Sequence, residues 1–368
     1  MIKKAINKVI YNDSIRSIGT RVFRCFPGLA ADYCKRQEGK LCLAEALQHF
    51  QDGVTWPEGA SKEDYLKALD NHQVSLSEYL HQFEFYKMTE PERDEFITRS
   101  EMRALSLKLR MMFPEYDHIE MLRFKEKFLA RYSELGFVHR RWLYMPEATY
   151  EQFADLLSST DCIAKPHDGS LGDDVEKVDK QEGPQVREIY DRLVRRKMVV
   201  EEYLHGCEEL QAFHPSSLNT IRFITIGYNG KTMPFGALVR MGIGNMIVDN
   251  THAGGIFAHV NVKTGEIISE AITTDGMRVA NHPDTNIPLV GFQIPRWNDV
   301  SDFCLQAASH TKNIITGWDV VIRDDGLIEF VEANHRPDIQ TMQSWDKVGS
   351  KREILKILSD ITGKRITI

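Results

Sequence analysis

The sequence lacks several features that would assign it to a specialised class of protein. No apolar run approaches the roughly 18 residues of a membrane-spanning helix. The net charge of −7 argues against general nucleic-acid binding, because a phosphate backbone needs a basic surface. The six cysteines are scattered without a C-x-x-C pair, which indicates reduced thiols. With 368 residues, of which 42% are hydrophobic, the chain is expected to be a folded cytoplasmic protein.

The N-terminal segment departs from this acidic balance. Residues 1–31 contain six Lys or Arg side chains and one acid, Asp13, and they have no unbroken apolar region of the kind that a signal peptide needs. Ile2, Ile6 and Val9 recur at helical spacing. Such an amphipathic helix could make a peripheral contact with the anionic inner face of a membrane, or it could pack on the rest of the protein. The sequence carries no signal for the oligomeric state.

The texture of the chain changes after about residue 145. Before it, "SKEDYLKALDNHQVSLSEYLHQF" has helical periodicity and begins with Ser61 as an N-cap. After it, short β-branched runs alternate with helical segments, and "YNGK" and "RDDGL" have the composition of tight hairpin turns. We therefore predict an α+β fold class, with a mainly helical N-terminal region over residues 1–118 and at least one antiparallel sheet within residues 119–368.

The stretch "GWDVVIRDDGLIEFVEAN" carries polar side chains in an otherwise apolar hairpin. Asp319 lies near the start of one strand, and Glu332 and Asn334 lie two positions apart on the other, so that these two share a face. If the hairpin brings the three side chains together, their oxygens suit Mg²⁺, which takes one or two carboxylates and completes its shell with water and phosphates. The alternative is a solvated strand end with unrelated acids.

A second motif, "CIAKPHDGSLGDDV", has the composition of a phosphate-binding loop. A strand delivers Lys165, and Gly169, Ser170 and Gly172 allow backbone N–H groups to approach phosphate oxygens. Neither the P-loop pattern nor the dinucleotide fingerprint occurs here. A plain loop or hairpin after a strand is the alternative interpretation.

The third motif, "MVVEEYLHGCEEL", joins a strand to a group of acids. The segment Glu201, Glu202, Tyr203 and Leu204 could pair with the edge of a nucleotide base, and the carboxylate of Glu208, seven positions after Glu201, could accept hydrogen bonds from a ribose. A surface edge strand would give the same pattern.

In chain order, these motifs resemble the ATP-grasp superfamily, and the D-alanyl-D-alanine ligases show the same spacings. "SSLNTIRFITI", "ALVRMG" and "VDNTHAGGIFAHVNVKTG" further resemble the sugar-transfer associated ATP-grasp group, to which the ribosomal-protein glutamate ligases are related. The resemblance implies two α+β subdomains that clasp ATP, with ATP and Mg²⁺ as cofactors. It places a lid at about residues 150–205, a core at about 206–345 and a C-terminal helix at 346–368.

The resemblance also implies roles for further residues. Arg222 and Arg240 would face the γ-phosphate of ATP or an acyl phosphate, and Asn250 and His252 would shape the reacting site. Two arginines there could stabilise the negative charge of phosphoryl transfer.

A lysine of the helix before the grasp domain is the last expected nucleotide contact. Lys127 resembles the first ATP-contacting lysine of the family, although Glu126-Lys127 replaces the usual Asp-Lys pair. Lys125 could serve instead, and a solvated helix face would also explain the pattern.

The function that the resemblance implies is ATP-dependent ligation of a carboxylate to an amine, with an acyl-phosphate intermediate and release of ADP. The family suggests small-molecule or glycan-linked substrates and a setting in bacterial surface polysaccharide biosynthesis. Many ATP-grasp ligases begin with a Rossmann-like domain, but this chain has a helical region there, so substrate identity does not transfer. The alternatives are a kinase on the same nucleotide cradle and a non-catalytic ATP-binding module of a glycan assembly complex.

Overall fold

The computed structural model describes residues 27–84, 89–168, 174–246, 254–273, 277–346 and 348–368. The chain forms two compact units. The helical unit contains the residues up to Asp117 together with Asp338–Ile368, and the sheet-containing unit is His118–Pro337. No helix in the described ranges is both long enough and apolar enough to span a membrane.

The helices are numbered in chain order. They are α1 (Pro27–Asp52), α2 (Lys62–His72), α3 (Leu76–Glu84), α4 (Glu90–Glu95), α5 (Arg99–Met112), α6 (Ile119–Arg123), α7 (Lys125–Glu134), α8 (Tyr150–Ser159), α9 (Gln185–Arg195), α10 (Glu208–Gln211), α11 (Trp297–Ser309) and α12 (Lys351–Thr362), with a 3₁₀ turn at Gln340–Gln343.

The strands are numbered in the same way. They are β1 (Trp142–Tyr144), β2 (Cys162–Pro166), β3 (Glu176–Val178), β4 (Met198–Glu202), β5 (Thr220–Tyr228), β6 (Lys231–Met241), β7 (Ile256–Val260), β8 (Ala271–Ile272), β9 (Arg278–Val279), β10 (Ile315–Ile322) and β11 (Ile328–Asn334).

The helical unit packs its N-terminal helices with the C-terminal segment. The predicted cap is present, since the hydroxyl of Ser61 accepts a hydrogen bond from the backbone N of Asp64 at the start of α2. The side chain of Gln343 is fully buried and bonds the backbone N and O of Ile97, at 2.9 and 3.2 Å. The ammonium group of Lys351, on α12, lies 3.0 Å from a carboxylate oxygen of Glu101 on α5. The last helix of the chain therefore belongs structurally with the first ones.

The four-stranded sheet has the order β1-β4-β2-β3 with every pair antiparallel. Helices α8 and α9 cover one face, where Cys162 and Ala164 of β2 join a buried apolar cluster with Met198 and Val200 of β4. Side chains alternate along a strand, so the next residue of β2, Lys165, points to the opposite face. Glu201 of β4 shares that face.

The seven-stranded sheet has the order β11-β10-β5-β6-β7-β8-β9 and is also antiparallel throughout. On one face, Trp318 of β10 and Phe330 of β11 pack with Tyr132 of α7 in a buried aromatic core. The alternation of strand side chains then places Asp319, the residue after Trp318, on the other face. The two antiparallel sheets and the helical N-terminal region confirm the predicted α+β class.

Candidate active site

The predicted metal ligands meet on the β10–β11 hairpin. Asp319 is the fifth residue of β10, rather than near its start, and its backbone pairs with that of Glu332. The amide nitrogen of Asn334 donates to Glu332 Oε1 at 3.2 Å and to Asp319 Oδ2 at 3.4 Å. The structure therefore brings the two carboxylates and the amide into one cluster.

A β-bulge is what aligns the two strands of this hairpin. Val320 pairs with Phe330, but Asp319 pairs with Glu332, so Val331 is an extra residue on β11. In a regular ladder Asp319 would face Val331, and Glu332 would point toward the aromatic core. The bulge shifts the alternation by one position and turns Glu332 to the face of Asp319, as bulges beside active sites often do.

Two arginines from neighbouring strands converge on Asp319, whose side chain is fully buried. Arg222 of β5 binds it with two donors, with Nη2 at 2.7 Å from Oδ2 and Nε on Oδ1. Arg240 of β6 places Nη2 at 2.9 Å from Oδ2 of Asp319 and also donates to the hydroxyl of Thr220. Strand β5 pairs with both β10 and β6, and this explains why the three side chains meet.

The electrostatics of the two carboxylates differ. Burial alone would raise the pKa of Asp319, but the positive charges of Arg222 and Arg240 outweigh it and hold that pKa well below the usual range. Burial raises the pKa of Glu332, and the negative charge of Asp319 acts in the same direction. Glu332 therefore carries the charge that the site accommodates least well.

This donor set fits a magnesium ion better than a zinc ion. No cluster of three or more His, Cys, Asp or Glu side chains in the described part of the chain could hold a metal. A cation on the hairpin would have the carboxylates of Asp319 and Glu332 and the amide of Asn334. One or two carboxylates with room for water and phosphate is the ligation typical of Mg²⁺, and a cation would offset the repulsion at Glu332.

The lysine of the second motif lies in a buried ionic cluster. Lys165 Nζ is 3.2 Å from Glu201 Oε2, and its side chain is 13% exposed. The same oxygen accepts a bond of 2.7 Å from Nε of Arg140. Burial alone would raise the pKa of Glu201. The positive charges of Arg140 and Lys165 have the larger and opposite effect, so the net pKa lies below the usual value. Glu201 is thus an ion-pair partner of the predicted phosphate-binding lysine.

The remaining residues of the third motif lie around the end of β4. A carboxylate oxygen of Glu202 accepts a bond from the backbone N of Arg141 at 3.0 Å. Tyr203 and Leu204 are half-buried beyond the strand, and Glu208 is exposed at the first position of α10. The side chain of Glu202 is therefore engaged by a neighbouring loop.

The two candidate lysines of α7 have different surroundings. Lys127 is on the exposed side of the helix, with Nζ 3.4 Å from Glu120 Oε2. Lys125 is half-buried, and its charged neighbours include Glu332 and Lys165. Burial lowers the pKa of Lys125, Glu332 opposes this change, and Lys165 adds to it. The geometry favours Lys125, the alternative from the sequence, as the lysine nearer to the cluster.

Two predicted loops lie outside the described residues. The predicted phosphate loop includes Gly169, Ser170 and Gly172, and the predicted reacting segment includes Asn250 and His252. The roles assigned to these five residues stay predictions.

Sequence reasoning missed several buried polar residues that make hydrogen bonds in the sheet-containing unit. Arg140 belongs to no motif, yet its side chain is completely buried. His214 Nδ1 shares a hydrogen bond of 2.8 Å with Ser217 Oγ, which accepts another from the backbone N of Gly242. A side chain at Gly242 would place Cβ 2.5 Å from Ser217 Oγ. The HPSSLN stretch before β5 was the available signal, but its partners are distant in the chain.

Comparison with known proteins identifies a family. The family model for sugar-transfer associated ATP-grasp matches residues 133–357. No curated protein sequence matches the chain.

Among solved structures, the chain is similar to the ATP-grasp ligase PsnB complexed with precursor peptide PsnA2 and AMPPNP, at 17% identity over 72% of this chain and 70% of that one, with a TM-score of 0.44. It is also similar to N5-carboxyaminoimidazole synthetase from Staphylococcus aureus complexed with ADP, at 10% identity over 71% of this chain and 58% of that one, with a TM-score of 0.42. The chain is also similar to D-cycloserine synthetase DcsG, at 12% identity over 71% of this chain and 76% of that one, with a TM-score of 0.37.

Proposed function

Because the chain belongs to the sugar-transfer associated ATP-grasp family, as its motifs predicted, we propose that it is an ATP- and Mg²⁺-dependent ligase that joins a carboxylate to an amine. The family confirms the expected ATP-grasp fold and agrees with ATP and Mg²⁺ as cofactors. The reaction, the substrates and the roles of individual residues are the parts that we propose.

One observation carries the proposal. Two arginines lie on the same face of the seven-stranded sheet as three side chains whose oxygens could bind a metal ion, namely Asp319, Glu332 and Asn334. Arg222 and Arg240 are held by the buried carboxylate of Asp319, and Glu332 lies 3.9 Å from the guanidinium of Arg222. Phosphoryl transfer spreads negative charge over oxygen atoms, so catalysis depends on positioning and on fixed positive charge. Arginines preorganised by a buried carboxylate supply such charge with little reorganisation.

Each group has a proposed task. Lys165 binds ATP phosphates, and Arg222 and Arg240 stabilise charge on the transferred phosphoryl group. The oxygens of Asp319, Glu332 and Asn334 hold Mg²⁺, which supplies charge neutralisation to the phosphates when bound.

The proposed reaction has two balanced steps. An oxygen of the substrate carboxylate attacks the γ-phosphorus, so that the bond to the β-phosphate oxygen breaks and ADP leaves. The amine nitrogen then attacks the carbonyl carbon of the acyl phosphate, the C–N bond forms, and inorganic phosphate leaves with loss of a proton from nitrogen. The arginine pair suits both steps, because the acyl phosphate keeps the charge that these side chains bind.

The family also supports a setting and a class of substrate. We propose that the carboxylate or the amine belongs to a surface glycan or to its precursor, for example a uronic acid that becomes amidated. The cytoplasmic location and a peripheral membrane contact through the basic N-terminal residues stay predictions, since those residues lie outside the described ranges.

The experiment that tests the ligase is ³¹P NMR of the purified protein with Mg²⁺-ATP and pools of uronic acids, nucleotide sugars, amino acids and simple amines. ADP and free phosphate that form only when a carboxylate and an amine are both present would support ligation. A new phosphomonoester signal without free phosphate would instead identify a kinase. ATP binding without turnover in any pool would favour the non-catalytic module.

Matched variants make this experiment specific to the site. Glu332→Gln removes one carboxylate of the hairpin and should abolish turnover. Glu134→Gln neutralises an exposed carboxylate at the end of α7 and should leave turnover unchanged. Equal turnover in both variants would contradict the proposed role of the hairpin.

A further inference from the structure

Arg140 lies between α7 and β1, and its buried side chain connects the two sheets. Nε donates to Glu201 Oε2 of β4 at 2.7 Å. Nη1 donates to Glu329 Oε1 of β11 at 2.9 Å, and also to the backbone carbonyl of Phe330. One guanidinium thus connects β4, which pairs with the strand that carries Lys165, to β11, which carries Glu332 and Asn334.

The charges in this cluster depend on one another. Glu201 Oε2 is shared by Arg140 and Lys165, and Glu329 lies between Arg140 and Arg323, whose Nη1 is 3.6 Å from Oε2. The side chains of Glu201 and Glu329 are 2% and 0% exposed. Buried carboxylates of this kind are tolerated only when they are paired with cations. If one cation is removed, the carboxylate must therefore be neutralised by the cations that remain.

The consequence falls on Lys165. Its ammonium group has three donors, and one of them is directed at Glu201. While Arg140 neutralises Glu201, the other donors of Lys165 are available for an anion. Without Arg140, Glu201 would depend on Lys165 alone, and the carboxylate would compete directly with phosphate for the ammonium group.

We propose that Arg140 is a positioning residue for nucleotide binding: by satisfying Glu201 and anchoring it to β11, it keeps Lys165 available to the phosphates of ATP. This inference rests on the proposed role of Lys165 in binding ATP. The side chain of Arg140 is completely buried, and the proposed role requires no contact with the nucleotide.

The test measures the binding of AMPPNP and of adenosine by calorimetry to the wild-type protein and to Arg140→Met. AMPPNP affinity should fall by about tenfold, while adenosine affinity should change much less, because adenosine has no phosphate for Lys165 to bind. Arg131→Met, which removes an exposed arginine of α7, is the matched control and should bind both ligands like the wild type.

A second variant separates positioning from a merely structural role. In Arg140→Met/Glu201→Gln, the competing carboxylate is neutral, so AMPPNP affinity should return to within about threefold of that of Glu201→Gln alone. If Arg140→Met fails to fold, Arg140→Gln is measured instead. It also lacks the charge that neutralises Glu201, so the same loss of AMPPNP affinity and the same rescue by Glu201→Gln are expected. Equal losses for AMPPNP and adenosine, or no rescue by Glu201→Gln, would overturn the inference.

This experiment is independent of the ligase chemistry. AMPPNP binding needs no acceptor substrate, so a wild-type protein that binds AMPPNP without turning over ATP would contradict the proposed ligase and leave the role of Arg140 open to the same comparison. A wild-type protein that binds no AMPPNP would overturn both proposals.

Discussion

The two carboxylates of the hairpin should affect stability in opposite directions when each is neutralised. Asp319→Asn keeps the shape of the side chain but removes the charge that faces Arg222 and Arg240. Both guanidinium groups would remain largely buried, with side chains 14% and 12% exposed. In the absence of nucleotide and metal, we expect this variant to be less stable than the wild type.

The size of the loss follows from the burial of the pairs. Breaking a buried ion pair by removing one partner costs about 3–5 kcal/mol. The lower end applies here, because Arg240 keeps its bonds to Thr220 and both arginines retain a little contact with solvent. For a unit of this size, about 3 kcal/mol corresponds to a decrease in melting temperature of roughly 6–12 °C.

Glu332→Gln should have the opposite sign. Glu332 is the carboxylate whose pKa is raised by burial and by Asp319. Neutralising it removes a repulsion from Asp319. Solvent screens part of that repulsion because the side chain of Glu332 is 35% exposed, so we expect a stabilisation of at most about 1 kcal/mol. The melting temperature should therefore rise by no more than roughly 2–4 °C, while turnover is lost.

The assay is thermal unfolding monitored by circular dichroism, at neutral pH in the presence of EDTA and without nucleotide. Glu134→Gln serves again as the control for a change of charge on the surface. A melting temperature of Asp319→Asn close to that of the wild type would refute the claim that Asp319 organises the arginine pair. A large decrease for Glu332→Gln would refute the claim that the two carboxylates repel each other.

Further predictions concern the helix α7, a tight turn and acid pH. Lys125→Met should weaken AMPPNP binding about tenfold and Lys127→Met should leave it unchanged in calorimetry, because Lys125 has Glu332 among its charged neighbours whereas Lys127 is exposed and lies beside Glu120. Gly265→Ala should cost about 2 kcal/mol or more in urea unfolding, since φ is +78° there and a Cβ would lie 2.3 Å from Trp297 Cγ. Arg222 and Arg240 hold the pKa of Asp319 in the folded protein below the value in the unfolded chain, which is about 3.9. The stability that Asp319 contributes is therefore fully present above about pH 3.9 and is lost as the pH falls through the folded pKa. The stability difference between the wild type and Asp319→Asn should therefore stay constant from neutral pH to about pH 5 and shrink only in stronger acid, as measured by urea unfolding at a series of pH values.

The sequence was sufficient for features that depend on local pattern. The α+β class, the hairpin turn in "RDDGL" and the cap at Ser61 follow from composition and periodicity over a few residues, and the structure contains each of them. The order of the three motifs was enough to identify the family. Pattern alone did not choose between Lys125 and Lys127, because both are polar residues on one short helix and only the tertiary fold decides which is buried.

Arg140 illustrates a second limit of sequence reasoning. Its partners Glu201 and Glu329 are 61 and 189 positions away, on strands of two different sheets. A lone Arg before a strand is usually a solvent-exposed residue. Only the packing of β4 and β11 shows that this one is enclosed by carboxylates, so no rule on local spacing could have selected it.

The hairpin gives the clearest case, because the correct prediction depended on a feature that the sequence did not show. Spacing places Glu332 and Asn334 on one face of β11, but a regular ladder continuing from the Val320–Phe330 pair would turn that face toward the aromatic core. The extra residue Val331 reverses this alternation. A bulge needs no particular residue type, so the sequence has no sign of it. Burial decides the outcome instead: Phe330 gains by packing on Trp318, whereas Glu332 would lose its hydration in the same place. The extra residue Val331 allows Phe330 to stay in the aromatic core while Glu332 points to the opposite face. The bulge is therefore the physical reason why the acidic oxygens gather at Asp319.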